Sequence, residues 1–179
     1  PTLTALTIAS NGDSSSRSMD GSTVTLTITS SETIGTPTCD MEFTSGNDAT
    51  NAETISGSTT SWTCTVVAHD SDADGAIVFS IGFTDSAGNA GTAVTAVTSG
   101  SGVTHDDTVP TLTTVTIASN NAVTTLSKDG NTITLTIVSS ENIGTPTCDM
   151  EFTSGNDATN AETISGSTTS WTCTVVAHD

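Results

Sequence analysis

An acidic turn carries the clearest pattern of metal ligands in the sequence. Asp70, Asp72 and Asp74 alternate ahead of Gly75, in the order D-x-D-x-D-G. Carboxylates at alternate positions around a glycine turn are how a calcium-binding loop begins. The twelfth position counted from Asp70 is Ile81, where an EF-hand requires a bidentate glutamate, so an EF-hand is excluded. Two interpretations remain open: a looser calcium site built from oxygen atoms, or an acidic turn without a ligand.

The histidines and the remaining carboxylates give little support to enzyme chemistry. The chain has three histidines, His69, His105 and His178. His69 ends a predicted strand at a loop, and no recognisable nucleophile motif accompanies it. Asp40 and Glu42 share one face of a predicted strand, where a flat exposed surface provides no cleft to separate the pKa values of two carboxyl groups. We therefore expect that the protein is not an enzyme.

Four cysteines form two equally spaced pairs. The separations are 64 − 39 = 25 for Cys39 and Cys64, and 173 − 148 = 25 for Cys148 and Cys173. Zinc sites need further cysteines or histidines at short spacing, and this pattern does not match one. We predict the disulfides Cys39–Cys64 and Cys148–Cys173. Disulfides persist in oxidising compartments, so the expected location is extracellular or at the cell surface.

The chain is a tandem repeat. Residues 34–70 return without one change as residues 143–179, at an offset of 143 − 34 = 109. The same offset relates Pro1 to Pro110, and no residue is inserted or deleted between the two copies. Such exact copying is typical of modules that lengthen spacers, stalks and filaments. We predict two domains, residues 1–109 and residues 110–179.

The second copy is predicted to lack its last two strands. Residues 77–83 and 91–98 of the first copy are apolar, strand-like segments that have no counterpart in the second. Without them the second core would be open. We expect it to be completed either by continuation of the same chain or by strand addition from a neighbouring chain.

The hydrophobic pattern predicts an all-β fold. Val24, Leu26 and Ile28 alternate with threonines, as in a strand with one face on a core and one in water. Six further segments show strand-like patterns, and turn-rich clusters at 10–20, 44–51, 57–61 and 70–75 separate the strands. The seven predicted strands are at 3–8, 23–29, 38–43, 54–56, 62–68, 77–83 and 91–98. This pattern predicts an antiparallel Greek-key β-sandwich of immunoglobulin type in each module.

Composition excludes two classes of partner. Only Arg17 and Lys128 oppose 20 acidic residues, and the formal net charge is −18. Such a charge repels nucleic-acid phosphates and anionic lipid surfaces alike. Nor does any stretch approach the roughly 20 apolar residues that a membrane helix needs. We therefore expect neither nucleic-acid binding nor membrane insertion of this segment.

Several motifs resemble a known family. The PTLT start, the DGSTVTLT strand, the block SWTCTVVAHDSDADGAIVFSIGFTDSAGNAGTAVT and the THDDTVPT junction are similar to bacterial immunoglobulin-like tandem repeats of large surface adhesins and extracellular filaments. The turn DSAGNAG at Asp85–Gly91 is the most recognisable piece. Unlike antibody domains, which carry cysteines on the second and sixth strands, this chain carries them on the third and fifth. In an immunoglobulin-type sandwich those two strands belong to opposite sheets, so the bridge would still cross the core beside Trp62.

The calcium interpretation places the ion at the junction between modules. In the inferred topology, alternate loops share one pole with the end of the last strand. The carboxylates expected there are Asp13, Asp20, Asp48, Asp70, Asp72, Asp74, Asp106 and Asp107. A divalent cation would relieve their mutual repulsion, and Pro110 already restricts the backbone. The predicted ligands are Asp70, Asp72, Asp74, Asp106 and Asp107; no other cofactor is expected.

The sequence features bear on three classes of function: a structural module, an adhesive module and an enzyme. The expected function is structural: a module of an extracellular fibre or adhesin stalk that provides reach and stiffness by end-to-end stacking, with copies of the same module as partners. The alternative is an adhesive module that recognises a glycan or a host protein through polar loops. Recognition loops should differ between copies, whereas here only residues 10–20 and 119–129 differ strongly. An enzyme would need a polar cleft, which the sequence does not indicate.

Overall fold

The computed structural model describes residues 1–43, 52–152 and 161–178. Every regular element in these ranges is a β-strand, which confirms the all-β prediction. The chain divides into two compact units, Pro1–Thr108 and Val109–Asp179, which we call the first and second units. The turn predicted at 44–51 lies outside the described residues.

Thirteen strands are described. In the first unit they are β1 (Leu3–Ser10), β2 (Arg17–Ser18), β3 (Thr23–Ser30), β4 (Thr38–Glu42), β5 (Thr54–Ser58), β6 (Ser61–Val67), β7 (Gly75–Ala76), β8 (Val78–Gly82) and β9 (Thr104–His105). In the second unit they are β10 (Leu112–Ser119), β11 (Thr132–Ser139), β12 (Thr163–Ser167) and β13 (Ser170–Val176).

The main sheet of the first unit has the strand order β1-β3-β6-β5. Its strands pair antiparallel, with Leu26 of β3 opposite Cys64 of β6 and Ile8 of β1 opposite Leu26. Because side chains alternate between the faces of a strand, this register places all the apolar residues of β3 on one face. Val24, Leu26 and Ile28 are completely buried, as their alternation with threonine predicts.

The second layer of the first unit is built on β4 and β8, which pair antiparallel with Met41 opposite Phe79. The side chains of this layer that point into the core come from alternate positions along the chain. They are Met41, Phe43, Ile77, Phe79, Ile81 and Phe83, together with Val103 from the end of the unit. The core of the first unit therefore lies between two sheets.

A disulfide joins the two layers. Cys39 on β4 is bonded to Cys64 on β6, with 6.5 Å between their Cα atoms. Cys64 is completely buried and packs with Trp62 in the same core. Since β4 and β6 belong to different sheets, the covalent bond crosses the core.

The predicted closing strand at 91–98 is wrong in its extent. Val94 makes both backbone hydrogen bonds of an isolated bridge with Ile81 of β8, at 2.9 and 3.1 Å. Four residues later the Thr98 N–H donates to the carbonyl oxygen of Leu6 in β1, at 2.9 Å. The segment thus passes from the edge of one layer to the edge of the other, so it cannot form a continuous ladder with either.

The first unit also contains a small sheet of three two-residue strands in the order β2-β9-β7, which the sequence pattern does not predict. The strand β9 pairs in parallel with β2 and antiparallel with β7. Its residues lie in the THDDTVPT motif that was interpreted as a junction between modules. The first part of that motif, up to Thr108, belongs to the fold of the first unit.

The second unit repeats the main sheet, with the strand order β10-β11-β13-β12. Cys148 is bonded to Cys173, as the equal spacing predicts. Residues 147–151 have the sequence TCDME, identical to β4, yet they form no strand. Among the described residues of this unit, 109–152 and 161–178, no counterpart of β8 is present to pair with them.

The DSAGNAG turn is organised by one carboxylate. Oδ1 of Asp85 accepts the backbone N–H groups of Ala87 and Asn89 at 2.9 and 2.8 Å, and Oδ2 accepts the side-chain amide of Asn89 at 2.7 Å. The Asn89 side-chain amide, followed by the Asn89 backbone N–H, holds the pKa of Asp85 below its ordinary value. The turn places Gly91 against the ring of Phe83.

Gly91→Ala is expected to destabilise the first unit by about 1–3 kcal/mol, the usual range for overpacking a core. A Cβ at position 91 would lie 2.1 Å from Cε2 of Phe83, whose ring is buried and cannot move aside freely. Thermal unfolding checks this result. Gly102→Ala is the control, because a Cβ there meets no atom within 4 Å. Equal melting temperatures for the two variants would contradict the prediction.

Candidate functional sites

A buried histidine lies at the end of the first unit. His105 of β9 is completely buried, and its ring stands edge-on to Phe43 with 5.0 Å between the centroids. Oγ of Ser18 lies 3.3 Å from Nδ1, and Oδ2 of Asp107 lies 3.2 Å from Nε2. The contact with Asp107 is close enough for an ion pair, although its alignment falls short of a hydrogen bond.

The order serine, histidine, aspartate resembles a hydrolase triad, but its surroundings do not suit catalysis. A nucleophilic hydroxyl must reach a substrate, whereas Ser18 is only 2 % exposed and the histidine ring is completely buried. The arrangement instead fixes β9 between its neighbours. The sequence did contain a signal for it, because Val103 and His105 alternate in the same way as the core residues of the longer strands.

Two aspartates next to His105 hold the last residues of the first unit. Asp74 accepts the backbone N–H of Asp107 at 2.7 Å and the hydroxyl of Thr108. Asp107 in turn accepts the backbone N–H of Asp20 at 2.6 Å. The predicted ligands Asp74 and Asp107 are therefore brought together, and both already accept hydrogen bonds from the backbone.

The other predicted calcium ligands occupy different positions. Asp106 lies 3.7 Å from the guanidinium of Arg17 as an exposed ion pair. Asp72 is buried and accepts the His69 N–H at 2.8 Å, while Asp70 is exposed. Within the described ranges, no group of three or more His, Cys, Asp or Glu side chains has a geometry that could hold a metal ion. Asp48 lies outside those ranges. Calcium binding stays a prediction, which calorimetric titration of calcium into the full chain would test.

The stability of this end of the first unit is expected to depend on the ionised form of Asp74. The Thr108 hydroxyl, and after it the Asp107 N–H, hold the pKa of Asp74 below its ordinary value. A lowered folded-state pKa stabilises the fold above the unfolded value of about 3.9, and this contribution is lost as the pH falls through the folded pKa. Asp74→Asn should therefore lower the melting temperature at pH 7, with a difference from wild type that shrinks below about pH 4.

Thermal unfolding at pH 7 and at pH 3 measures the effect of Asp74→Asn. The control is Asp70→Asn, which changes an exposed acid in the same turn. A deficit of Asp74→Asn that is as large at pH 3 as at pH 7 would show that the carboxylate hydrogen bonds are not its cause.

The second unit exposes an apolar sheet face that the first unit buries. We call this surface the open face and define it by residues at equivalent register positions of β10 and β11: Val115, Ile117, Ile133, Leu135 and Ile137. Val115 and Ile117 are 55 % and 64 % exposed, whereas their counterparts Leu6 and Ile8 are 0 % and 7 % exposed. The three residues of β11 are half-buried, and their counterparts on β3 are completely buried.

A cavity of about 220 Å³ continues the open face toward the disulfide of the second unit. Its lining is mainly apolar and includes residues next to Cys148 and residues next to Cys173. The lining residues include Val115, Leu135, Ile137, Ile143, Cys148 and Trp171. Large exposed apolar surfaces mark interaction sites or ligand-binding grooves in folded proteins.

Comparison with known proteins finds no match. No protein-family model, no curated protein and no solved structure matches the chain. Among the described residues, no helix is long and apolar enough to cross a membrane. Function is therefore inferred from the repeat, the two disulfides, the buried cluster around His105 and the open face.

Proposed function

We propose that the chain is a structural module of an extracellular fibre or adhesin stalk, and that modules stacked end to end provide reach and stiffness. One observation carries the proposal: both units have the same sheet order and a disulfide between equivalent cysteines. The sequence of residues 34–70 is repeated without change in the second unit. Duplicating a cross-linked module lengthens a polymer without requiring a new function of each copy.

The strand order supports the assignment to the immunoglobulin-like class. The order β1-β3-β6-β5 corresponds to the four-stranded sheet of a constant-type immunoglobulin domain, and the β4–β8 pair corresponds to two strands of the opposite sheet. The short bridge between Val94 and Ile81 takes the place of the last strand. This correspondence supports an immunoglobulin-like sandwich, and the proposal of a bacterial repeat rests on the sequence motifs alone.

The chemistry of the surface supports an extracellular location. Disulfides are stable in oxidising compartments, and the described residues contain no free cysteine. The outward positions of β3 and β6 are mostly threonine, while lysine and arginine total two in the whole chain. A threonine-rich outer sheet face carries few of the charged side chains that attract trypsin-like proteases.

Electron microscopy of intact source cells tests the proposed function. Gold-labelled antibodies raised against the 179-residue chain should decorate filaments that extend from the cell surface. Pre-incubation of the antibodies with the purified 179-residue chain is the control, and it should remove the signal. Labelling confined to the cell interior would overturn the proposal.

The adhesive alternative makes a different prediction for the same chain. Residues 10–20 and 119–129 differ strongly between the copies, so recognition by these loops would differ between the units. A glycan array probed with the full chain would detect such recognition. Binding that is lost when residues 10–20 are exchanged for 119–129 would favour an adhesive module over a purely structural one.

A further inference from the structure

A polar cavity of about 390 Å³ opens beside the small sheet of the first unit. Its walls come from the start of β2 and from the segment that contains β9, so they belong entirely to that unit. The lining residues are Ser16, Arg17, Ser101, Gly102, Thr104 and Asp106. Small-molecule sites in proteins measure roughly 300–1,000 Å³, so the cavity is large enough for a small ligand.

Strand alternation turns three of the lining side chains toward the cavity. Arg17 of β2 lies opposite Thr104 of β9 in the parallel pair. The next residue on each strand faces the core, because Ser18 is 2 % exposed and His105 is completely buried. Arg17, Thr104 and Asp106 therefore project from the other, outward face of the small sheet.

Backbone hydrogen bonds fix the outward face. The Thr104 N–H donates to the carbonyl oxygen of Ser16 at 3.0 Å, and the Asp106 N–H donates to that of Ser18 at 2.9 Å. The main chain under the cavity is thus held in place by the fold itself. Binding to a preorganised surface loses less conformational entropy than binding to one that must first be ordered.

The two charged groups of the cavity have unused hydrogen-bonding capacity. The guanidinium of Arg17 and the carboxylate of Asp106 are 3.7 Å apart, which is longer than a hydrogen bond. Among the described residues, neither side chain has another polar partner. A ligand can therefore use the N–H donors of the guanidinium and the acceptor oxygens of the carboxylate together.

The rest of the lining adds hydroxyl groups and open space. Ser16, Ser101 and Thr104 each carry a hydroxyl, which can donate and accept hydrogen bonds. At Gly102 a Cβ would meet no atom within 4 Å, so nothing obstructs this side of the cavity. The lining contains neither an aliphatic nor an aromatic side chain larger than that of threonine, which disfavours an apolar ligand.

We propose that the cavity binds a neutral saccharide through a pair of vicinal hydroxyls. One sugar hydroxyl accepts a hydrogen bond from Arg17 and donates one to Asp106, which bridges the gap of 3.7 Å between them. The neighbouring hydroxyl bonds to the serine and threonine hydroxyls of the lining. This site goes beyond the proposed structural role and does not depend on it.

Charge selects a neutral sugar over an acidic one. Asp106 balances the positive charge of Arg17 within the cavity. The chain around it is strongly acidic, with a formal net charge of −18. A sugar carboxylate or sulfate would be repelled by this field, whereas a neutral sugar would not.

The second copy of the repeat suggests the most informative substitution. At the offset of 109, Arg17 corresponds to Leu126, which is also exposed. Arg17→Leu therefore introduces the residue that the repeat carries at this position. Because an exposed ion pair contributes little to stability, the variant should unfold at the same temperature as wild type.

NMR titration of the full chain with methyl α-mannopyranoside tests the proposal. This sugar is neutral and has vicinal hydroxyls in both cis and trans arrangement. The amide signals of Arg17, Gly102 and Thr104 should shift and saturate with a Kd on the order of 1 mM, as expected for a small polar ligand. Tetrahydropyran-2-methanol, which has the ring without vicinal hydroxyls, should shift none of them. EDTA in the buffer keeps the result separate from calcium binding.

Variants of the full chain test the roles of the two charged groups. Arg17→Leu and Asp106→Asn should each raise the Kd by about tenfold or more, because each removes hydrogen bonds that involve a charged group. The matched control is Asp13→Asn, which removes the same charge from an exposed acid outside the cavity. It should leave the Kd unchanged. Thermal unfolding of each variant shows that the fold is intact.

Three results would overturn the proposal. The first is the absence of shifts at the three amides when the sugar concentration is far above the expected Kd. The second is an equal Kd for wild type and Arg17→Leu. The third is tighter binding of glucuronic acid than of methyl α-mannopyranoside, lost in Arg17→Leu, which would assign the cavity to anions instead.

Discussion

Leu26→Ala is expected to lower the free energy of unfolding of the first unit by about 2–5 kcal/mol. Leu26 is completely buried at the centre of β3, between Ile8 and Cys64 on the neighbouring strands. The substitution removes apolar contacts and leaves a cavity that two sheets joined by a disulfide cannot readily close. The cost should fall in the upper part of the range because both layers are cross-linked.

The repeat provides an internal control in Leu135→Ala. Leu135 occupies the equivalent position on β11 in a nearly identical sequence, but it is half-buried. Its replacement should cost the second unit less than half as much as Leu26→Ala costs the first, because no second sheet packs over Leu135 among the residues that the structure describes.

Hydrogen exchange with mass spectrometry reports the two leucine variants separately. Peptides from β3 and β11 differ in sequence and can be assigned, whereas peptides from 34–70 and 143–179 are identical. Equal losses of protection in β3 of Leu26→Ala and β11 of Leu135→Ala would show that the two cores are closed to the same degree.

Loss of the disulfide Cys39–Cys64 through replacement of both cysteines by alanine should destabilise the first unit by roughly 3 kcal/mol. The bond closes a loop with a sequence separation of 25, which restricts the unfolded chain. It also connects the layer containing β4 to the layer containing β6. The change is measured by urea unfolding of the full chain, with amide hydrogen exchange in β3 as the readout.

The corresponding variant of the second unit is the control for the disulfide. Replacement of Cys148 and Cys173 by alanine should leave exchange in β3 unchanged and increase exchange in β11. First-unit stability that is the same with and without a reducing agent would contradict the prediction.

Much of the fold follows from local sequence. Alternating threonine and aliphatic residues identify β3 and β11 without further information, because a two-residue period is compatible only with a strand that has one apolar face. The β5–β6 hairpin and its copy β12–β13 have the same register in both units. In the connecting turns Thr59 and Thr168 adopt φ values of 55° and 58°, so the same residues produce the same turn twice.

The cysteine pairs were predictable for a related reason. Equal spacing in two copies, on segments with inward-facing apolar residues, indicated pairing within each module, and the structure contains both bonds. The acidic pattern was less informative. Asp70 and Asp74 are close in sequence, but only Asp74 contacts Asp107 and Thr108, which the fold brings to it from 33 and 34 residues away.

Other features depended on contacts between distant segments. The region 91–98 has a strand-like pattern, yet its hydrogen bonds go to Ile81 in one layer and to Leu6 in the other. His105 is buried because β9 lies between β2 and β7, and the alternation of Val103 with His105 does not reveal these two strand partners.

The amino-acid sequence alone establishes the repeat, the all-β class, the positions of the long strands and the pairing of the cysteines. Tertiary structure alone decided whether a given segment became a strand and whether an apolar side chain was buried. The letters TCDME form β4 at 38–42 and no strand at 147–151. The physical reason is that a strand is stabilised by hydrogen bonds to a neighbour, and β8 provides that neighbour only in the described structure of the first unit.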